Sequence, residues 1–170
     1  MRNAVACLPL AGLLFSLGCG KAPQAGVSID STFRPFVQPD TQALVFIQVE
    51  TVKATEIYKR HQHEFDLPQL NALAERSGLD PRRDLTALLV TWDGSHPLLL
   101  VRGSFTAEKL EKQLGEAGLK RTRYKAYTLL GNPKESIVFP EMGFALAGAD
   151  APVRAALDSR AVNRGGLAQE

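Results

Sequence analysis

The order of apolar patterns along the chain predicts an α+β fold, a ferredoxin-like β-α-β-β-α-β sandwich extended by a further hairpin and a C-terminal helix. Three observations carry this. Short runs suited to strands, 43–49, 86–92 and 96–102, are interleaved with stretches of helical spacing. Asp93-Gly94 lies between the second and third runs and is the clearest hairpin signal in the chain. Asp150 followed by Pro152 marks the start of a last helix, because Asp caps free N–H groups and Pro fits the first turn.

Taken in order, Pro39-Asp40-Thr41 reads as a turn ahead of a strand over 43–49. Val45, Ile47 and Val49 share one face of it and Leu44 and Phe46 the other, which predicts a central strand. Residues 51–64 read as a helix with Val52, Ile57 and Tyr58 inward. Asp66 caps a second helical segment that carries Leu70, Leu73 and Ala74 and closes at Gly78. After the hairpin, Thr106 caps a helix with Leu110 and Leu114 on one face, closed by Gly118. A fourth strand spans 124–130, and a fifth and sixth, 135–139 and 143–149, join at Pro140. The last helix runs through Val153, Ala156 and Leu157 and stops before Gly165-Gly166. The opening Pro-Asp-Thr turn loosely resembles that of uncharacterised secreted bacterial proteins, a resemblance that brings no activity with it.

A length of 170 residues favours one globular domain. Lys+Arg 20 against Asp+Glu 18 is too small an excess to imply nucleic acid as a partner. The two cysteines, Cys7 and Cys19, offer no disulfide framework. Both lie near the start, where Arg2 precedes a stretch from Ala4 to Gly18 without charge and rich in Leu. That is the charged-then-apolar layout of a secretory signal; it is short for a spanning helix, which needs ~20 apolar residues, and it contains Pro9.

Ser16-Leu17-Gly18-Cys19 resembles the lipobox of bacterial lipoproteins, with a small residue just before the cysteine and Ser16 where the family more often has Leu. The resemblance implies cleavage before Cys19, a diacylglycerol thioether on Cys19, and export to the cell envelope. Gly20 in place of Asp implies the outer membrane, facing the periplasm, in a Gram-negative host. The implied organisation is signal peptide 1–18, tether 19–34, α+β domain 35–166 and a short tail 167–170. The membrane is then one partner through the lipid, and an envelope protein is a second candidate.

Candidate chemistry in the domain is sparse. His61, His63 and Glu64 could chelate zinc or copper, but on a helix the two histidines point about 200° apart and only His61 and Glu64 are neighbours. A solvated helix end is the simpler reading, with no cofactor implied. Arg121, Arg123 and Lys125 alternate, so on one strand they form a basic stripe, continued by Tyr127, that could grip anionic headgroups or another polyanion. Asp80, Arg82, Arg83 and Asp84 read as ion pairs within a turn. Trp92 reads as a hairpin packing residue or an interface anchor. There is no Gly-x-Ser-x-Gly elbow and no phosphate loop. The expectation is a non-catalytic binding or structural module, with a periplasmic metal protein or hydrolase and a lipid or polyanion carrier as alternatives.

Overall fold

A computed structural model of the chain describes residues 29–65, 71, 74–75 and 78–161. Cys19 and its signal segment, most of the Asp66-capped segment and the 167–170 tail lie outside them.

Seven strands form one antiparallel sheet: β1 (Ala43–Gln48), β2 (Leu85–Trp92), β3 (Pro97–Gly103), β4 (Lys120–Tyr124), β5 (Tyr127–Gly131), β6 (Glu135–Glu141) and β7 (Phe144–Ala149). Their order across the sheet is β1-β2-β3-β7-β6-β5-β4. Helices α1 (Val49–Ala54), α2 (Glu56–His61) and α3 (Pro81–Asp84) lie between β1 and β2 in the chain. Helix α4 (Ala107–Glu116) links β3 to β4, and α5 (Asp150–Ala161) follows β7. The α+β class, the added hairpin and the terminal helix match expectation. The strand order departs from a ferredoxin-like sheet, in which the first strand would be central. Here, among the described residues, β1 pairs only with β2, antiparallel, and is an edge. The apolar residues on both of its faces misled the reading: Val45 and Ile47 are 57% and 37% exposed.

The register shows which face is the core. Phe46 lies opposite Leu89, Leu89 opposite Leu100, Leu100 opposite Leu146, Leu146 opposite Val138, and Val138 opposite Leu129. Directly opposed residues share a face, so one apolar row crosses six of the seven strands. Val153, Ala156 and Leu157 of α5 join the same buried cluster. So do Ile29, Phe33, Phe36 and Val37, which precede the first strand. Phe33 is fully buried, its ring centroid 5.8 Å from Phe46 and 5.2 Å from Phe144, and Phe36 stacks on Phe144 at 4.8 Å. Asp30 accepts hydrogen bonds from the Thr32 N–H and hydroxyl and pairs with Arg102 of β3. Burial acts to raise the Asp30 pKa, but the Thr32 bonds and the Arg102 charge outweigh it and hold it below the usual carboxylate range. The domain therefore begins by Ile29, and two residues of the segment read from sequence as tether, Ile29 and Phe33, belong to the core.

Two other expectations are corrected. The 51–64 helix is broken at Thr55, whose backbone is extended and whose hydroxyl accepts from the Tyr58 N–H. It becomes α1, α2 and a 3₁₀ turn at Gln62–Phe65, with Val52 and Ile57 exposed rather than inward. The β6–β7 connection is at Met142-Gly143, not Pro140. Pro140 sits inside β6, where the pairing with β7 slips between Val138 and Glu141, a site where its missing N–H does least harm.

Candidate functional site

The basic stripe expected over 121–125 is split by a hairpin. Strands β4 and β5 pair with Tyr124 opposite Tyr127, leaving Lys125-Ala126 as a two-residue turn. Lys125 takes up the left-handed conformation that such a turn needs, at φ 53°. The expected single strand 124–130 is thus two elements. Arg121 and Arg123 remain on one face, opposite Leu130 and Thr128, and both are exposed. Tyr127 is on the other face with Tyr124, against the core.

Lys125 leaves the stripe altogether. Its Nζ lies 2.5 Å from Asp158 Oδ1 in α5. The Tyr124 hydroxyl donates to both Asp158 oxygens at 3.0 and 2.9 Å. The Arg154 guanidinium sits 4.5 Å above the Tyr124 ring and is held by Asp150, Nε to Oδ2, at 2.6 Å. The Lys125 bond holds the Asp158 carboxyl below its ordinary range, and the same bond raises the Lys125 pKa. A lowered carboxylate pKa stabilises the fold above the ordinary Asp range, and that contribution is lost as pH falls through the lowered value. This cluster is a clasp between the β4–β5 turn and α5. No local sequence signal marks it, because Tyr124 and Asp158 are 34 positions apart.

Arg121 and Arg123 are held less firmly. Arg121 Nη2 donates to the Glu111 carbonyl at 3.2 Å, and Arg123 Nε to the Lys125 carbonyl at 3.4 Å. These main-chain contacts leave both positive charges without a carboxylate partner among the described residues.

The structure brings His61, His63 and Glu64 closer than helical spacing implies. His61 Nδ1 is 2.8 Å from Glu64 Oε1, and His63 Nε2 is 3.9 Å from the same oxygen. The 3₁₀ turn that follows α2 aligns positions three apart, which sets Glu64 beside His61, while His63 adjoins Glu64 in sequence. His63 and Glu64 are exposed and His61 is half-buried, and among the described residues no three His, Cys, Asp or Glu side chains form a group able to hold a metal ion. Asp80 and Asp84 are engaged by Arg82 and Arg83, as the turn reading expected.

A cleft of about 1350 Å³ opens beside the β5–β6 turn, the start of β4 and the start of α5. Its rim carries Asp93, His96, Lys120, Lys134 and Asp150. The rim is drawn into local contacts: His96 Nδ1 is 3.8 Å from Asp93 Oδ2, and Asp150 holds Arg154. Trp92 ends β2 opposite Pro97 and Ala43, and is 40% exposed.

No protein-family model and no curated protein matches this sequence. Solved structures of TP0453 share the fold. Crystal form III superposes with a TM-score of 0.52 at 11% identity, over 79% of this chain and 53% of that one. Crystal form I gives 0.50 at 11% identity, over 80% and 52%. Crystal form IV gives 0.51 at 10% identity, over 80% and 53%. The matched region thus spans about half the length of the TP0453 chain.

Proposed function

We propose that this chain is a cell-envelope lipoprotein, exported and anchored through lipidated Cys19, whose α+β domain is a non-catalytic binding or structural module. The observation that carries the reading is Ser16-Leu17-Gly18-Cys19 at the end of an uncharged, Leu-rich run. Among the described residues no helix is long and apolar enough to cross a membrane, and an acyl anchor requires none. A second observation sharpens the geometry. Ile29, ten positions after Cys19, is already buried in the core. Ten residues span at most ~35 Å whatever their conformation. The domain is held closer to the membrane than a tether running to residue 34 would hold it.

Each buried CH₂ contributes about 0.8 kcal/mol to membrane binding, so two or three acyl chains hold the protein stably. Cys19→Ala is expected to move the protein from the membrane fraction to the soluble fraction on cell fractionation. Tight membrane retention of the variant would end the anchor reading.

The exposed pair Arg121 and Arg123 supports a second reading, an anionic surface or polyanion held at the β4 edge. Basic residues near an anionic surface contribute about 1 kcal/mol each, so the pair is worth roughly thirty-fold in affinity. Reversing both to Glu is expected to weaken low-salt binding to phosphatidylserine vesicles by at least that factor. Unchanged binding would remove this reading and leave the anchor intact.

A further inference from the structure

The apolar row that crosses the sheet has a neighbour of opposite character. Two residues along each strand, towards the β5–β6 turn, Lys120 lies opposite Gly131, Gly131 opposite Ser136, Ser136 opposite Gly148, and Gly148 opposite Leu98. Ser136 is two positions from Val138, so this second row faces α5 as the first does. The first row fills the space with Leu129, Val138 and Leu146; the second offers Gly, Ser and Gly. The start of α5 is small there too, with Ala151, Pro152 and Ala155. Both sets line the cleft of about 1350 Å³.

Small residues alone only leave room. Ser136 adds a demand: it is 3% exposed, and its hydroxyl oxygen is buried without a hydrogen-bond partner. Buried hydroxyls are nearly always paired, because an unmade hydrogen bond is costly. Charge adds a sign. Lys120 ends the row and Lys134 stands in the β5–β6 turn; both line the cleft, and neither has a carboxylate partner among the described residues. The carboxylates nearby are engaged or turned away. Asp150 holds Arg154, Asp93 accepts from the N–H groups of Ser95 and His96, and Glu135 alternates to the other face of the sheet.

We infer that the cleft takes an amphipathic organic carboxylate. Its head accepts from the Ser136 hydroxyl and faces the ammonium groups of Lys120 and Lys134. Between Lys120 and Ser136 stands only Gly131, which has no side chain to part them. The body is apolar, because the cleft is far larger than an inorganic anion and Pro97, Leu119 and Ala149 offer it hydrocarbon. This gives a ligand class to the binding module proposed above and rests on that reading of the domain, not on the lipid anchor.

The test titrates 4-phenylbutyrate into the full-length chain held in phosphatidylcholine nanodiscs, by calorimetry against empty nanodiscs. One saturable site per chain is expected, with the uncharged analogue 4-phenylbutanol weaker by about fivefold or more. Reversing Lys120 and Lys134 to Glu is expected to cost about tenfold or more. Arg121 and Arg123 alternate to the opposite face, so reversing them is expected to change nothing here. Ser136→Ala is expected to weaken binding and leave the melting temperature of the empty chain equal or higher, since it removes a buried group that nothing satisfies. A serine with a merely structural role would lower it. Ala155→Phe fills the cleft and is expected to abolish binding with both lysines in place. No saturable binding overturns the inference, as does equal binding of the alcohol, or affinity indifferent to K120E/K134E, S136A or A155F. Fractionation of Cys19→Ala reports on the anchor separately, so either reading can fail alone.

Discussion

Phe33→Ala is expected to destabilise the domain by about 3–5 kcal/mol, the range for truncating a fully buried aromatic. The reasoning starts from position. Phe33 is wholly buried, and its ring touches Phe46 of the edge strand β1 and Phe144 of the central strand β7. One side chain thus bridges two strands that are not neighbours in the sheet. Truncation loses its transfer free energy and opens a cavity that Phe36 and Phe144, stacked on each other, cannot close without giving up their own contact. Urea unfolding of Phe33→Ala beside Phe33→Leu measures the effect, with Leu expected to recover most of it. A loss below about 1 kcal/mol for Ala would return residues 29–34 to the role of tether. That outcome would also lengthen the reach of the lipid anchor, so this stability measurement bears on where the domain sits.

The misreading of that segment has a physical cause. Ile29, Phe33 and Phe36 are separated by polar residues, and the 3₁₀ turn at Arg34–Phe36 is too short to impose a period. Their burial is decided by the groove between the sheet and α5, which no local pattern records. Strands β2, β3 and β7 were legible as short apolar runs bounded by turn residues, and of the three only β2 alternates cleanly in burial. The Asp93 turn was legible because its chemistry is local: Asp93 Oδ1 accepts from the N–H groups of Ser95 and His96 at 2.7 and 2.6 Å. Strand order was not legible. Pairing depends on which edges meet, and β1 carries the apolar composition of a central strand while standing at an edge.

The same limit applies to the candidate site. Alternation placed Arg121 and Arg123 correctly on one face, since both lie in a regular strand. It misplaced Lys125 because the β4–β5 turn lacks the Gly, Asn or Asp that usually announces two-residue hairpins. The clasp that captures Lys125 supplies the missing incentive. A left-handed conformation at a non-glycine residue is costly, and the Lys125–Asp158 pair with its Tyr124 contact favours the residue that bears the strain. His61 and Glu64 were read as neighbours and are in contact, because a spacing of three aligns side chains in an α-helix and in the 3₁₀ turn alike.

Gly143→Ala is expected to lose on the order of 2–5 kcal/mol, and its neighbour in kind, Gly118→Ala, only about 1–2 kcal/mol. Both glycines have positive φ, 66° and 94°, so both substitutions carry the conformational cost of placing a Cβ in the left-handed region. Only one adds a collision. A Cβ on Gly143 would stand 2.4 Å from the carbonyl oxygen of Gly103, whereas a Cβ on Gly118 would meet nothing within 4 Å. The Gly103 oxygen cannot swing aside as a side chain would, because it is main chain. Its own N–H donates to the Gly143 carbonyl at 2.9 Å, and the next N–H, of Ser104, donates to Asp84 at 2.7 Å. Relief would therefore pull apart the meeting point of β3, β7 and the α3–β2 junction. Thermal unfolding of the two variants side by side separates the contributions: their shared loss reports the backbone conformation, and the excess at Gly143 reports the close approach of two main chains. Equal losses would mean that the Met142-Gly143 turn yields freely, and that the end of the sheet is less firmly joined than its hydrogen bonds indicate.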